Sequence, residues 1–176
     1  MIGFALAPLA PMPSVGAEGT FDNGALLFDA KTLNAVVGAR GFPVTPAPGP
    51  RGDQTGPRLA SFSVLEVGAQ DSKGARLVLG PKARDILGKG TLIVRVSARG
   101  FDNNPATRMA LGIVREGNLQ WGQANVSPTG AAIEFSFPAS DKPATALAIW
   151  PATEGQGRGV ELQSIAVFRG YNEATP

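Results

Sequence analysis

Residues 91–99 read TLIVRVSAR, and this stretch decides the fold class of the 176-residue chain. Every second position from Leu92 to Ala98 is apolar, and the positions between them are polar apart from Ile93. Because successive side chains of a β-strand point to opposite faces, the pattern predicts a strand with one buried and one available face. Similar but weaker runs surround it, which predicts an all-β layered structure.

The composition also favours β structure. The chain has 43% hydrophobic residues, enough for a core, and 23 Gly and 15 Pro, which suit many short strands joined by turns. Sixteen basic and fourteen acidic residues give a net charge of +2. No run of Lys or Arg could follow a phosphate backbone, so we expect no nucleic-acid partner.

The sequence contains no Cys and no His. These two absences exclude disulfides, thiolate nucleophiles, a Ser-His-Asp triad and metal sites built from Cys or His. An enzyme of this composition would have to use carboxylates, Lys or Tyr. We therefore expect no catalytic activity.

Residues 1–58 are predicted to form an N-terminal docking arm and a linker. The apolar start has no preceding positive charge and is interrupted by Pro8, Pro11 and Pro13, which argues against a signal peptide or a membrane-spanning helix. We expect this arm to lie extended against a protein partner, with a cleaved or disordered leader as the alternative. Residues 38–58 are rich in Gly and Pro and predict a linker.

Residues 21–37 fit either two short strands about a turn or one helical stripe. The remainder, 59–170, predicts about eight strands at regular spacing, as a β-sandwich requires. The expected strands are 62–67, 75–79, 91–99, 109–115, 119–126, 131–137, 144–150 and 160–168, with one helical turn at 81–87. Residues 171–176 are predicted to be a C-terminal tail.

Several segments of 59–170 occur in a familiar order: ARLVLGPKARDI, TLIVRVSARG, GNLQW, AIEFSFPAS and LAIWPATEGQGRGVELQSIAVFRG. This order resembles the jelly-roll β-sandwich of carbohydrate-binding modules and galactose-binding-like domains. The resemblance implies sugar binding through aromatic rings and polar side chains, on a concave sheet face or at the loops of one edge. It also implies that a structural calcium is possible, with Glu161 as a candidate ligand.

The layout of arm, linker and sandwich resembles, more weakly, the head spikes or fibres of tailed phages and phage-like gene transfer agents. That resemblance implies a place outside the cell or on a particle surface. It also implies a larger oligomeric assembly that attaches to cell-surface polysaccharide. We expect no membrane insertion.

The two Trp residues are the candidate sugar platforms, because a flat ring offers a large apolar face and its N–H can find a partner. Trp121 shares its strand face with Gln123 and Asn125, which predicts exposure on a polar face. Trp150 falls on the face opposite Leu147 and Ile149, where it would either be exposed or close the end of the core.

Three arginines complete the predicted binding site. Arg95 and Arg99 share the polar face of the 91–99 strand, and Arg115 ends the following strand. Arginine forks bind vicinal hydroxyls and the carboxylates of acidic polysaccharides. The alternative is a solvated face on which Glu134 or Glu161 is their cross-strand partner.

Glu134 and Glu161 could also be the acid and base of a glycosidase, which needs two carboxylates at a defined separation. Nothing in the sequence fixes that separation, and both residues occupy simple outward strand positions. The sequence therefore favours a non-catalytic carbohydrate-binding module. The alternatives are a purely structural assembly subunit and, less favoured, an accessory domain of a polysaccharide-degrading enzyme.

Overall fold

The computed structural model describes residues 16–47, 56–69 and 73–170. Within these ranges the chain forms eleven β-strands and two short helices. In chain order they are β1 (Thr20–Asp22), β2 (Ala25–Phe28), α1 (Ala30–Leu33), β3 (Val44–Thr45), β4 (Arg58–Ser61), β5 (Ala75–Val78), α2 (Pro81–Leu87), β6 (Leu92–Gly100), β7 (Arg108–Arg115), β8 (Asn118–Asn125), β9 (Ile133–Phe137), β10 (Ala144–Trp150) and β11 (Arg158–Arg169).

The strands form two antiparallel sheets. In the seven-stranded sheet, β11 pairs along one side with β6, which in turn pairs with β9. Along its other side β11 pairs with β2 and then with β4, and these continue to β1 and β3. The four-stranded sheet has the order β5-β10-β7-β8. The predicted all-β sandwich is confirmed.

Strand β6 forms where the alternating residues 91–99 predict a strand. Burial alternates along the strand, and Leu92, Val94, Val96 and Ala98 are all fully buried. The neighbouring strand β9 contributes Phe135, which approaches Gly122 of the other sheet, where an added Cβ would lie 3.1 Å from the Phe135 ring. The core therefore lies between the two sheets.

Eight strands, β4 to β11, occupy the region predicted to hold about eight. The helical turn at 81–87 is confirmed as α2, which has Pro81 at its first position and Gly88 after its end. The predicted strand at 62–67 is wrong. The strand β4 ends at Ser61, and a loop follows in which Phe62 and Val64 are exposed.

The boundary predicted at residue 58 is also wrong for the part of 1–58 that the structure describes. The turn at Asn23 and Gly24, both with positive φ, joins β1 to β2, and β2 pairs with β11 inside the seven-stranded sheet. Residues 21–37 therefore contain both strands and a helix. The sandwich includes residues 20–45, while the arm at 1–15 and linker residues 48–55 lie outside the described residues.

Helix α1 is short and depends on its cap. The Asp29 carboxylate accepts a hydrogen bond from the Thr32 backbone N–H at 2.8 Å and another from the Thr32 hydroxyl. These hydrogen bonds lower the pKa of Asp29, the backbone N–H contributing most. The buried residues Ala30 and Leu33 then face the core. No helix in the described ranges is long and apolar enough to cross a membrane.

Candidate functional site

Trp121 lies on the outer face of the four-stranded sheet, on its edge strand β8. Alternation along β8 puts Gln123 and Asn125 on the same face, and both are exposed. Gly122 points the other way, towards the core. The structure therefore brings together three of the residues predicted from the sequence, and Trp121 itself is half-buried.

The Trp121 ring lies over small residues of neighbouring strands. Gly112 of β7 is its direct partner, and a Cβ built there would lie 3.0 Å from Cε3 of the ring. A Cβ on Gly74, just before the opposite edge strand β5, would lie 3.2 Å from Cη2. The chain at both edges of the sheet thus reaches the same ring, so the outer face of this sheet is concave and the Trp121 ring lies across it; this concave face is called the trough below.

Trp150 lies beside this ring on the same sheet face, packs against it and is not itself a platform. Its ring packs edge-to-face on Trp121, with centroids 5.8 Å apart and an interplanar angle of 84°. Phe42 packs on Trp150 in the same manner at 4.6 Å and 69°. Trp150 is only 1% exposed, so it is not exposed on its strand face, and it has almost no surface to offer a ligand. Phe42 and Trp121 cover it.

Arg95 and Arg99 lie on the opposite side of the sandwich. Both project from the outer face of the seven-stranded sheet, where Arg95 Nε is 2.9 Å from Glu134 Oε2. Arg99 Nη2 is 2.9 Å from Asp102 Oδ1. The cross-strand pairing of Arg95 with Glu134 is the solvated-face alternative that the sequence left open. Neither arginine shares a site with Trp121.

Arg115 is buried, which corrects its assignment to the ligand site. Its side chain is 2% exposed, and its guanidinium donates to the backbone carbonyls of Lys142 at 2.9 Å and Pro138 at 3.4 Å. Burial lowers the pKa of Arg115. The residue ends β7 in the four-stranded sheet, apart from Arg95 and Arg99, and its role is to hold the 138–142 loop.

Glu161 lies between two arginines on the outer face of the seven-stranded sheet. Its cross-strand neighbours are Arg99 on β6 and Arg58 on β4. In the described ranges no group of three Asp, Glu, His or Cys side chains is placed to share a metal ion. Glu161 therefore has no carboxylate cluster around it there, and the calcium ligand set stays a prediction.

A cavity of about 330 Å³ lies among the loops at one end of the sandwich, lined by Arg99, Phe101, Thr107 and Val126 among others. At its rim the Glu154 carboxylate accepts hydrogen bonds from the hydroxyl and the backbone N–H of Thr107. Burial raises the pKa of Glu154, but these hydrogen bonds outweigh it and the net shift is downward. Glu154 is thus held as a carboxylate and is unsuited to act as a general acid.

The sequence matches no protein-family model and no curated protein. The solved structures to which the chain is similar include two that contain carbohydrate-binding modules. One is the structure described as BiXyn10A CBM1 in its apo form, at 12% identity and a TM-score of 0.46, covering 82% of this chain and 96% of that one.

The other is the CBM22-1–GH10 part of the N-terminal endo-1,4-beta-D-xylanase 10B of Clostridium thermocellum, complexed with xylohexaose. Its identity is 11% and its TM-score 0.47, over 82% of this chain and 28% of that one. This chain therefore spans less than a third of that protein. Both TM-scores are below 0.5, so the fold of this chain is described from its own strand order and not from these two structures.

Sequence reasoning missed Arg76, which lies on the same face as Trp121. Arg76 on β5 pairs with Ala148, Ala148 pairs with Gly112, and Gly112 pairs with Trp121. The four residues thus form one row across the sheet. The alternation of Arg76 with Ala75 and Leu77 could have marked it as an outward residue, but the pairing of β5 with β10 is not visible in the sequence.

Proposed function

We propose that this chain is a non-catalytic carbohydrate-binding module whose ligand lies in the trough on the outer face of the four-stranded sheet. One observation carries the proposal: Trp121 is a half-buried ring on that face, and its strand neighbours Gln123 and Asn125 are exposed. The ring provides an apolar surface for the C–H side of a sugar. The two amides can donate to and accept from its hydroxyls.

The packing beside the ring strengthens this proposal. Trp121 is held edge-on by Trp150, which is held by the buried Phe42. A ring fixed in this manner loses little conformational freedom when a ligand binds, so less of the interaction energy is spent on ordering it. Gly112 leaves room for the ring to lie close to the sheet.

The test is isothermal titration with a panel of soluble polysaccharides, comparing the intact chain with Trp121→Ala and Trp121→Phe. We expect Trp121→Ala to weaken binding about thirtyfold, equivalent to ~2 kcal/mol, and Trp121→Phe to weaken it less. Phe168→Ala, which removes a half-buried ring from the outer face of the other sheet, is the matched control. Absence of binding to every polysaccharide, or equal losses in Trp121→Ala and Phe168→Ala, would refute the proposal.

We also propose that the apolar, proline-spaced residues 1–15 anchor the module to a larger assembly, such as a phage-like particle carrying it as a head spike or fibre. The support is the sequence of that segment and the position of the described chain, which enters the sandwich at Gly16 and Ala17. Deleting residues 1–15 should abolish incorporation into the assembly and leave polysaccharide binding intact. Loss of both properties would contradict a separate anchoring role.

A second candidate is a structural assembly subunit with no glycan ligand. It is favoured by one feature, the loop after β4, in which Val64 is 96% exposed, Phe62 59% and Leu65 43%. Such an apolar loop is typical of a protein contact. Val64→Ser would then impair assembly, while Trp121→Ala would have no effect on any activity of the chain. The carbohydrate proposal predicts the opposite outcome for Trp121→Ala.

A further inference from the structure

The charged residues of the four-stranded sheet are all cationic. Its strands β5, β7, β8 and β10 contain Arg76, Arg108 and Arg115 and no Asp or Glu. The seven-stranded sheet is mixed, because its strands contain Asp22, Glu134 and Glu161 beside five arginines. Arg115 is buried and bonded to carbonyls, so the positive charge of the trough comes from Arg76 and Arg108.

Two strand arginines in the described ranges have a buried Nε atom without a hydrogen-bond partner: Arg115, which donates to two carbonyls through its other nitrogens, and Arg76. Among the described residues nothing pairs with the Arg76 guanidinium through a hydrogen bond or an ion pair. Arg95 and Arg99, by contrast, each contact a carboxylate. Leaving a desolvated charged donor unpaired is costly, which favours a ligand that supplies the missing acceptor.

The Trp121 ring itself lies along the row that joins it to Arg76. The two positions between them are Ala148 and Gly112, which offer one methyl group and no side chain, and both are buried. The ring passes over Gly112, and its Cη2 end lies next to Gly74, two residues before Arg76. The sheet is therefore curved, and a sugar on the exposed side of the ring would place its neighbouring unit beside Arg76.

We infer that the ligand is an acidic polysaccharide and that Arg76 binds the carboxylate of a uronic acid unit, an inference that rests on the proposed carbohydrate-binding function. A guanidinium fork donates two parallel hydrogen bonds to a planar carboxylate. Vicinal hydroxyls of a neutral sugar can also accept from the fork, but these hydrogen bonds are weaker because the acceptor carries no charge. The unpaired donor and the absence of carboxylates on the four strands together select an anionic ligand.

The experiment compares matched polymers: polygalacturonate, alginate and hyaluronan, each beside its carboxyl-reduced form, titrated against the intact chain. We expect one of the acidic polymers to bind at least about tenfold more tightly than its reduced form. Arg76→Gln should remove that preference and leave binding of the reduced polymer unchanged. Arg76→Lys should retain part of the preference, because it keeps the charge and loses the fork.

The control is Arg169→Gln, which removes the same charge from an exposed position on the other sheet and should leave the preference intact. Equal effects of Arg76→Gln and Arg169→Gln would show that net charge alone is responsible and would overturn the inference. If reduced and acidic polymers bind alike and Trp121→Ala still weakens binding of both, the inference fails and the proposed function stands. If no polymer of either kind binds, the proposed function itself fails.

Discussion

On the outer face of the seven-stranded sheet, Arg95 and Arg99 each contact a carboxylate. On the outer face of the four-stranded sheet, Arg76 has no polar partner among the described residues and lies in one row with Trp121. Arg95 and Glu134 are directly opposite one another on β6 and β9, 2.9 Å apart. Arg95 is therefore paired with a carboxylate of the protein itself, whereas the Arg76 guanidinium is free to bind a ligand.

The largest loss of stability is expected for Trp150, which packs against Trp121 on the outer face of the four-stranded sheet. Trp150→Ala should reduce the free energy of unfolding by ~3–5 kcal/mol, because it leaves a cavity between Trp121 and Phe42, which both pack on Trp150. Denaturant titration measures this loss. A loss below ~1 kcal/mol would show that Trp150 is not packed as described and would remove the support for the Trp121 ring.

A smaller loss of stability is expected for the buried Arg115, which belongs to the same sheet. Arg115→Met should reduce the free energy of unfolding by ~1–3 kcal/mol, because the Lys142 and Pro138 carbonyls lose their donor. Binding should be unchanged, since Arg115 does not reach the trough. Unchanged stability together with weakened binding would contradict this division of roles.

Gly112→Ala tests the trough without removing the ring. The added methyl would lie 2.8 Å from Leu119 Cδ1 and 3.0 Å from Trp121 Cε3, so both side chains must move. We expect about tenfold weaker polysaccharide binding, equivalent to ~1.4 kcal/mol. The matched control is Gly90→Ala, where an added Cβ meets nothing within 4 Å. Equal binding by both variants would place the ligand elsewhere.

The smallest effect is expected on the paired face. Arg95→Gln and Glu134→Gln should each change stability by no more than ~0.5 kcal/mol, because both side chains are more than half exposed, at 54% and 53%. A double-mutant cycle should give a coupling of ~0.2–1 kcal/mol. Polysaccharide binding weakened by Arg95→Gln as strongly as by Trp121→Ala would reverse the assignment of the two faces.

The sequence could predict what depends on local alternation. The strand β6, the helix α2 and the common face of Trp121, Gln123 and Asn125 all follow from residues close in the chain. The sequence left open whether Trp150 is exposed, because its burial depends on Phe42, more than a hundred positions earlier, which had been assigned to a linker. Strand periodicity specifies a face, but only the folded chain shows what covers it.

The predicted grouping of three arginines with Trp121 is not found, for a related reason. The arginines at 95, 99 and 115 were grouped by their order along the chain, but β6 and β7 belong to different sheets. Arg76 was missed because its position in the row with Trp121 depends on the pairing of β10 with β5 and with β7, which joins residues far apart in sequence. No periodicity in the sequence specifies such pairings.

The most direct test of the two-face comparison is to map chemical-shift changes in the backbone, Trp indole and Arg side-chain NMR signals as an acidic oligosaccharide is added. The account predicts saturable shifts at the Trp121 indole, at Gln123 and Asn125 and at the Arg76 guanidinium, with Arg95 and Arg99 unaffected. Shifts centred on Arg95, Arg99 and Glu161 instead, with Trp121 unchanged, would contradict it.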